Sequence, residues 1–383
     1  MLDDEKMPQE PTLFAEGGSY LISGLPPGNS GSGRFFRVLF QHAIDCGFSV
    51  ISPLPGQELT ENERKQISTI RNSTVIITHL QYLGHGLAQQ LIENNTDVRL
   101  FVLDNGFFCL QSYNHIAGEM RECLTCLGDP NKVNPTCGSF PIAYPNRENT
   151  AFLLFLQKYA RKIRFFCQTQ GQQLMLKRHF GDAVWSTVVG MSTNECIVED
   201  PTSPPDPAFD LVYHGAAHSA KGILFAVQLA FLLPELRILF PCYIDEIYSL
   251  IGGRKIPLPE NCSFEPMTWE TGLKEHIIHC KMVLVPSLWS APVEGSLIKS
   301  IFYNGRIGVV DTTFGFHKEI PDQFVCRLTP DLGASAEKIR QTIYTPSPRD
   351  EARRWSQRYN ESVNLNKIFE RENSFDSHIH QRG

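Results

Sequence analysis

The absences in this chain narrow its chemistry first. No apolar run is long enough to span a bilayer: the longest, around residues 223–233, is interrupted by Gln228, and a membrane-crossing helix needs about 20 predominantly apolar residues. The opening MLDDEKMPQEPTLFAEGG is acidic and has no apolar core segment, so no secretory leader is expected. Positive charge is not in excess: 35 Lys and Arg against 41 Asp and Glu leave a formal net charge of −6. That balance argues against a protein held to nucleic acid by a general basic field, and no nucleic-acid partner is expected. A nucleoside-triphosphatase loop is missing too. Its lysine and hydroxyl are replaced in Gly28-Asn-Ser-Gly-Ser-Gly33-Arg34-Phe35 by arginine and phenylalanine. The eleven cysteines are an odd number, which with no leader points to reduced thiols or metal ligands rather than a disulfide framework. The expected compartment is the cytoplasm.

What is present is an α/β alternation. The chain of 383 residues, 42% apolar and 20% charged, suffices for two domains with their own cores. After an expected N-terminal extension over 1–16, Ser19-Tyr-Leu-Ile22 reads as a strand, and a glycine-rich loop runs to Arg34. The segment from Arg34 to Cys46 places Phe36, Leu39, Phe40, Ala43 and Ile44 on one helical face before the strand Phe48-Ser-Val-Ile51. The loop glycines either let a substrate approach the backbone or serve only a tight turn. Further runs, Thr74–Thr78 and Val98–Leu103, predict strands whose ends carry His79 and Asp104, with a helix from His85 to Glu93 between them. Residues at the carboxyl ends of adjacent parallel strands face one crevice, so His79 and Asp104 are candidates to bind a substrate hydroxyl or ease its proton off, and His85, at the helix start, is a further candidate to touch substrate.

Between these strands and a helix near Asn149 lies a cysteine-bearing stretch. Cys109, Cys123, Cys126 and Cys137 form C-x13-C-x2-C-x10-C in a loop rich in glycine and proline with little apolar periodicity. The ligand count suits a structural zinc; an iron–sulfur cluster, free or regulatory thiols and disulfides are the alternatives. Val198 to Pro207 then carries four prolines in seven residues and marks a linker. A second βαβ unit follows, with strand Asp210–His214, a loop through Lys221-Gly222, an apolar helix and strand Leu236–Phe240.

The stretch from Met282 to Phe316 reads as strand, loop, helix and strand. Leu297, Ile298, Ile301 and Phe302 lie three, four, seven and eight positions after Glu294, which puts Glu294 in the first turn, and Gly305 is the expected C-cap. Pro286-Ser-Leu-Trp-Ser-Ala-Pro-Val-Glu-Gly295, the following helix and strand, and Phe314-Gly-Phe316 resemble the donor-site segment of family 4-type retaining glycosyltransferases of the GT-B fold.

The resemblance implies two Rossmann-like domains facing a cleft: an acceptor domain over 17–200 with a cysteine-rich insertion at 105–140, and a donor domain over 208–345. Residues 346–383 would form helices crossing back and a tail. It implies sugar transfer from a nucleotide-sugar donor to a glycan or other hydroxyl acceptor, with retention and without a catalytic metal, in glycan, polysaccharide or glycoconjugate biosynthesis. A lipid-linked acceptor would bring the protein to a membrane surface. Gly31, Ser32 and Gly33 would lie against substrate. Lys221 and Gly222 match the loop that grips the donor diphosphate, and Gly295 and Ser296 would offer helix-start amides. The chain departs where the family has an arginine (Ala216), a histidine before Asp104 (Leu103) and two glutamates (Ala291 and Lys299). His214 or His218, beside Gly215, could replace the missing cation, and Glu294 could replace a carboxylate. These departures leave a second reading open, a non-catalytic glycan- or nucleotide-binding relative.

Overall fold

The computed structural model describes residues 17–28, 31–192, 196 and 208–370. The expected extension at 1–16, the prolines of 198–207 and the tail residues His378 and His380 lie outside them.

Short apolar runs become strands buried on both faces. The chain lays down β1 (Ser19–Ile22), β2 (Ser49–Ile51), β3 (Thr74–Ile77) and β4 (Asp97–Phe101), then an antiparallel hairpin, β5 (His115–Ile116) and β6 (Arg121–Glu122). Next come β7 (Ile163–Cys167) and β8 (Ser186–Val188). The second half supplies β9 (Leu211–Tyr213), β10 (Ile238–Phe240), β11 (Cys262–Phe264), β12 (Met282–Leu284), β13 (Ile307–Val310) and β14 (Val325–Leu328). Two six-stranded sheets result, ordered β2-β1-β3-β4-β7-β8 and β11-β10-β9-β12-β13-β14. Every pairing in them is parallel. Strands covered by helices on both sides need no polar face, which is why these runs read as continuous rather than alternating apolar stretches.

In both sheets strand order reverses beside the first strand, between β1 and β3 and between β9 and β12. At such reversals the connecting helices leave in opposite directions and open a crevice at the carboxyl ends of the strands. The sequence places β1, β3, β9 and β12 correctly, and so places both crevices. It does not single out β7, β8, β11 or β14, short strands identified by their neighbours in the sheet rather than by any pattern of their own. The helix expected from Arg34 starts earlier and spans Gly31–Asp45.

The C-terminal segment ties the halves together. The helix Arg349–Ser362 packs on the helix Gly295–Tyr303, and a 3-10 turn at Leu365–Ile368 returns to the helix Gly31–Asp45. Leu365, Ile368 and Phe369 share one buried cluster with Phe36 and Phe40 of the first half and Phe302 of the second. Arg99, 1% exposed in β4, donates from Nη1 to the Ile368 carbonyl at 2.6 Å. Its charge is met by Asp97, which accepts from Arg99 Nη2 and from Arg164 Nη2, each at 2.6 Å. Burial works to raise the Asp97 pKa, but the two guanidinium groups outweigh it and hold the carboxyl below its usual 3.8.

Removing one partner of a buried ion pair strands the other charge, at a cost of about 3 kcal/mol or more. Asp97→Asn is therefore expected to lower the unfolding free energy by roughly that amount at pH 7 in chemical denaturation. Because the folded pKa is depressed, the contribution is complete above the unfolded value of 3.8 and disappears as pH falls through the folded one, so parent and variant should converge in acid. Identical denaturation midpoints at pH 7 would remove this network from the fold's support.

Candidate functional site between the two sheets

The two crevices face each other across a cavity of about 680 Å³. From the first sheet, β3 ends on His79 and β4 leads to Asp104, and their side chains meet with Nε2 to Oδ2 at 2.8 Å. His79 Nδ1 accepts a long 3.4 Å hydrogen bond from the Tyr82 amide, which puts the ring proton on Nε2, donated to Asp104. Burial works to raise the Asp104 pKa; the electrostatic attraction and hydrogen bond of His79, the Gly106 amide at 2.9 Å and the Ser112 hydroxyl prevail and hold it below 3.8. Asp104 is thus an oriented carboxylate at neutral pH. The family's histidine position is Leu103, but the imidazole beside Asp104 is supplied by β3 instead.

The second sheet supplies Lys221 and Glu294. Lys221 ends a 3-10 turn that His218 caps by accepting from the Ala220 amide at 3.1 Å. Glu294 is the N-cap residue of the helix Gly295–Tyr303 and 8% exposed. Lys221 Nζ forms an ion pair with Glu294 Oε1 and stands over the rings of Tyr113 and Trp289, 4.9 and 5.1 Å from their centroids. Burial works to lower the Lys221 pKa, but the Glu294 carboxylate and Tyr113 override it and raise it above 10.5, so the ammonium stays charged.

One turn deeper, Lys299 Nζ lies 4.4 Å over the Trp269 ring, where the resemblance implied a carboxylate. His214 stacks on the same indole and shares a 2.9 Å hydrogen bond with Ser300 Oγ. Burial, then the charge of Lys299, pulls the His214 pKa down to about 3, which favours the neutral ring. Arg34 crosses the cleft to Glu270 at 3.3 Å.

His79, Asp104, His214, Lys221, Glu294, Gly31, Ser32, Gly295 and Ser296 all line the cavity. Gly33, Gly215 and Gly222 are expected there and do not line it. Instead a Cβ at Gly33 would come within 2.6 Å of the Gly28 amide, and one at Gly215 within 2.7 Å of the Tyr213 hydroxyl. At Gly222, with φ of +74°, it would run into the Pro286 carbonyl, so this glycine lets the loops after β9 and β12 touch. His85 also departs from expectation. It is sandwiched between Tyr144 and Phe152, with ring centroids at 4.2 and 4.3 Å, and burial lowers its pKa to about 4.

The zinc expectation finds no support in the thiol arrangement. All eleven cysteines are free, and among the described residues no group of three or more His, Cys, Asp or Glu side chains is placed to hold a metal ion. Burial, followed by the mutual influence of the thiols, raises the pKa of Cys109 and brings Cys126 to about 11. Cys109, Cys123, Cys126 and Cys137 lie near enough to act on one another's ionisation. Phe107 and Phe108 packed against His179 and the Asn105–Asn114 hydrogen bond of 2.7 Å help to shape this stretch.

Tyr113, Phe140, Gln168, Trp269 and Trp289 also line the cavity. Sequence reasoning passes over them because an aromatic in a non-periodic loop carries no local mark of its destination.

No family model matches the chain, and a search of curated proteins finds no match. Solved structures do match over nearly the whole length. A sucrose-phosphate synthase from Thermosynechococcus elongatus superposes with a TM-score of 0.61 at 12% identity, over 92% of this chain and 96% of that one. WaaG, a glycosyltransferase involved in lipopolysaccharide biosynthesis, gives 0.55 at 12% identity over 91% and 97%. Anabaena HepE in complex with UDP and glucose gives 0.54 at 11% identity over 92% and 97%. The chain therefore has the GT-B fold.

Gly222→Ala is expected to lower thermal stability by at least 1–2 kcal/mol, roughly the strain of a non-glycine residue at positive φ, with the clash added. Gly295→Ala, whose methyl meets nothing within 4 Å, should melt like the parent. Equal melting of the two variants would contradict the close approach of the loops at 222 and 286.

Proposed function

We propose that the protein is a glycosyltransferase that moves a sugar from a nucleotide-sugar donor to a hydroxyl of a second molecule, with retention of anomeric configuration. The observation that carries this is one cavity with two opposed chemistries: a charged Lys221 at the second sheet and the oriented carboxylate Asp104 at the first. The fold adds support, since HepE, which shares it, was solved with UDP and glucose.

In this scheme the donor diphosphate lies at Lys221 and at the amides that open the helix Gly295–Tyr303, whose dipole favours negative charge. Lys221 is anchored for that task, with aromatic rings below it and Glu294 beside it. Charge that develops on the leaving phosphate meets a cation already in place, so little reorganisation is needed. With the first family glutamate replaced by Ala291, Glu294 is the carboxylate available to a donor hydroxyl. Asp104 accepts a hydrogen bond from the acceptor hydroxyl and orients its oxygen, while His79 holds the carboxylate in place. Among the described residues no helix is long and apolar enough to cross a membrane, so a lipid-linked acceptor would have to meet the cleft at a membrane surface. The changes at Ala216, Ala291 and Lys299 favour the second reading, a relative that binds nucleotide or glycan without turnover.

Release of free nucleoside diphosphate from a panel of sugar nucleotides separates the two. Lys221→Ala is expected to reduce donor turnover about ten- to a hundredfold, the scale of a charged hydrogen bond worth 1.5–3 kcal/mol, while Lys255→Ala serves as a surface-charge control. Asp104→Asn should lower kcat and leave nucleoside diphosphate binding intact. With its pKa depressed, Asp104 should support activity down to about its ordinary value of 3.8 and fail as it protonates below that. Parent-like turnover and binding in Lys221→Ala would sink the phosphate assignment.

A further inference from the structure

The cysteine-bearing segment belongs to the first half of the chain, next to the acceptor side, yet its polar contacts run to the opposite wall. Asn105 Nδ2 donates to the Ser290 carbonyl at 2.9 Å. Asn114 holds the same residue twice: its Oδ1 accepts from the Ser290 amide at 3.2 Å and its Nδ2 donates to Ser290 Oγ at 3.1 Å. Glu122, in β6, accepts a hydrogen bond from the Ser290 hydroxyl on Oε1 and one from the Thr313 amide on Oε2 at 2.9 Å. One glutamate thus joins the loop after β12 to the loop after β13. His115 reaches the lysine turn. Its Nδ1 faces the Tyr113 carbonyl at 2.9 Å and so carries the proton, which leaves Nε2 to accept from Ser219 Oγ at 2.8 Å. Tyr113 packs on Trp289 with centroids 4.4 Å apart and forms part of the floor under Lys221. Met120, at the tip of the β5–β6 hairpin, packs into the core of the second sheet.

We propose that the segment 105–122 is a donor-side clamp, in which Asn114 and Glu122 are positioning residues that fix the loop 286–296 from across the cleft. The naming of that loop as the donor loop rests on the glycosyltransferase reading; the clamp itself does not. A loop between a strand and a helix has its amides committed at the two ends only, and its middle must be held by outside partners or fluctuate. Ser290 is that middle. Its amide, carbonyl and hydroxyl are all bonded to residues from the other half of the molecule. Lys221 is set by the same device, because Tyr113 and Trp289 form its floor and Ser219, two residues before it, is bonded to His115. A segment of the first half of the chain therefore orders two loops of the second.

Hydrogen exchange on the full chain tests the clamp without any substrate. Glu122→Ala and Asn114→Ala are each expected to speed exchange of the amides in 286–296 about tenfold, the opening that follows loss of one hydrogen bond to a charged or buried partner. Amides of β9 and β13 should keep parent rates. Glu122→Gln, which keeps one acceptor oxygen, should fall between. Calorimetry with uridine, guanosine, adenosine and thymidine diphosphates is the second arm: the diphosphate bound by the parent should bind about tenfold more weakly to Glu122→Ala, with acceptor KM unchanged. Unaltered exchange in 286–296 overturns the clamp. Exchange that rises in 286–296 while the parent binds none of the four diphosphates upholds the clamp and overturns the donor reading. Should Glu122→Ala fail to fold, Asn114→Ala and Glu122→Gln decide the question by the same exchange comparison.

Discussion

An ammonium and a carboxylate taken out of water between two sheets must stay within reach of one another, because either alone would be too costly to bury. Lys221 and Glu294 satisfy this constraint, and much of the second half of the chain is arranged around it. The two residues come from loops after β9 and β12, neighbours only because the strand order reverses there. Gly222 lets those loops approach to contact, and the helix Gly295–Tyr303 starts where its first amides face the cavity that Glu294 also lines. A pair of this kind contributes little net stability. What it supplies is a fixed, charged ammonium in a poorly solvated place.

The opposite wall solves a different problem with similar means. Asp104 would drift upward in pKa if burial acted alone; a histidine from the adjacent strand and an amide two residues on keep it ionised. Each wall thus holds a charged group, Asp104 on one and Lys221 on the other, whose state is set by a partner from a different loop. The space between is closed by aromatic side chains, Tyr113, Trp269 and Trp289, which pack against the cations and exclude water from around them. Lys299 over Trp269 places a lysine in this cleft where the resembled family has a carboxylate.

Local pattern is enough to read the strands that end at His79, Asp104, His214 and Pro286, because apolar runs bounded by polar residues and glycine report a buried strand wherever they occur. It is also enough to place Glu294 in the first turn of an amphipathic helix, while Lys221, ahead of an apolar helix, is marked by the family resemblance. It fails at His85, three positions after cavity-lining Tyr82 yet turned into a ring stack with Tyr144 and Phe152. A histidine at a helix start has no signature that says which way it faces. The four thiols are a related case: spacing supplies a ligand count, while their arrangement depends on how the loop is packed, to which asparagine bonds and phenylalanine packing contribute.

By itself, then, the sequence determined an α/β chain of two parallel sheets, the loops at their carboxyl ends and the charged residues those loops carry. These follow from periodicity and from helix and strand boundaries, which are properties of neighbours along the chain. Tertiary structure alone decided that His79 rather than residue 103 orients Asp104, that Glu294 pairs with Lys221, and that Asn114 and Glu122 grip Ser290 across the cleft. Those pairings join residues 25, 73, 176 and 168 positions apart in the chain. Strand pairing inside one sheet brings the first two pairs within hydrogen-bond reach, and only the docking of the two halves on one another does so for the last two.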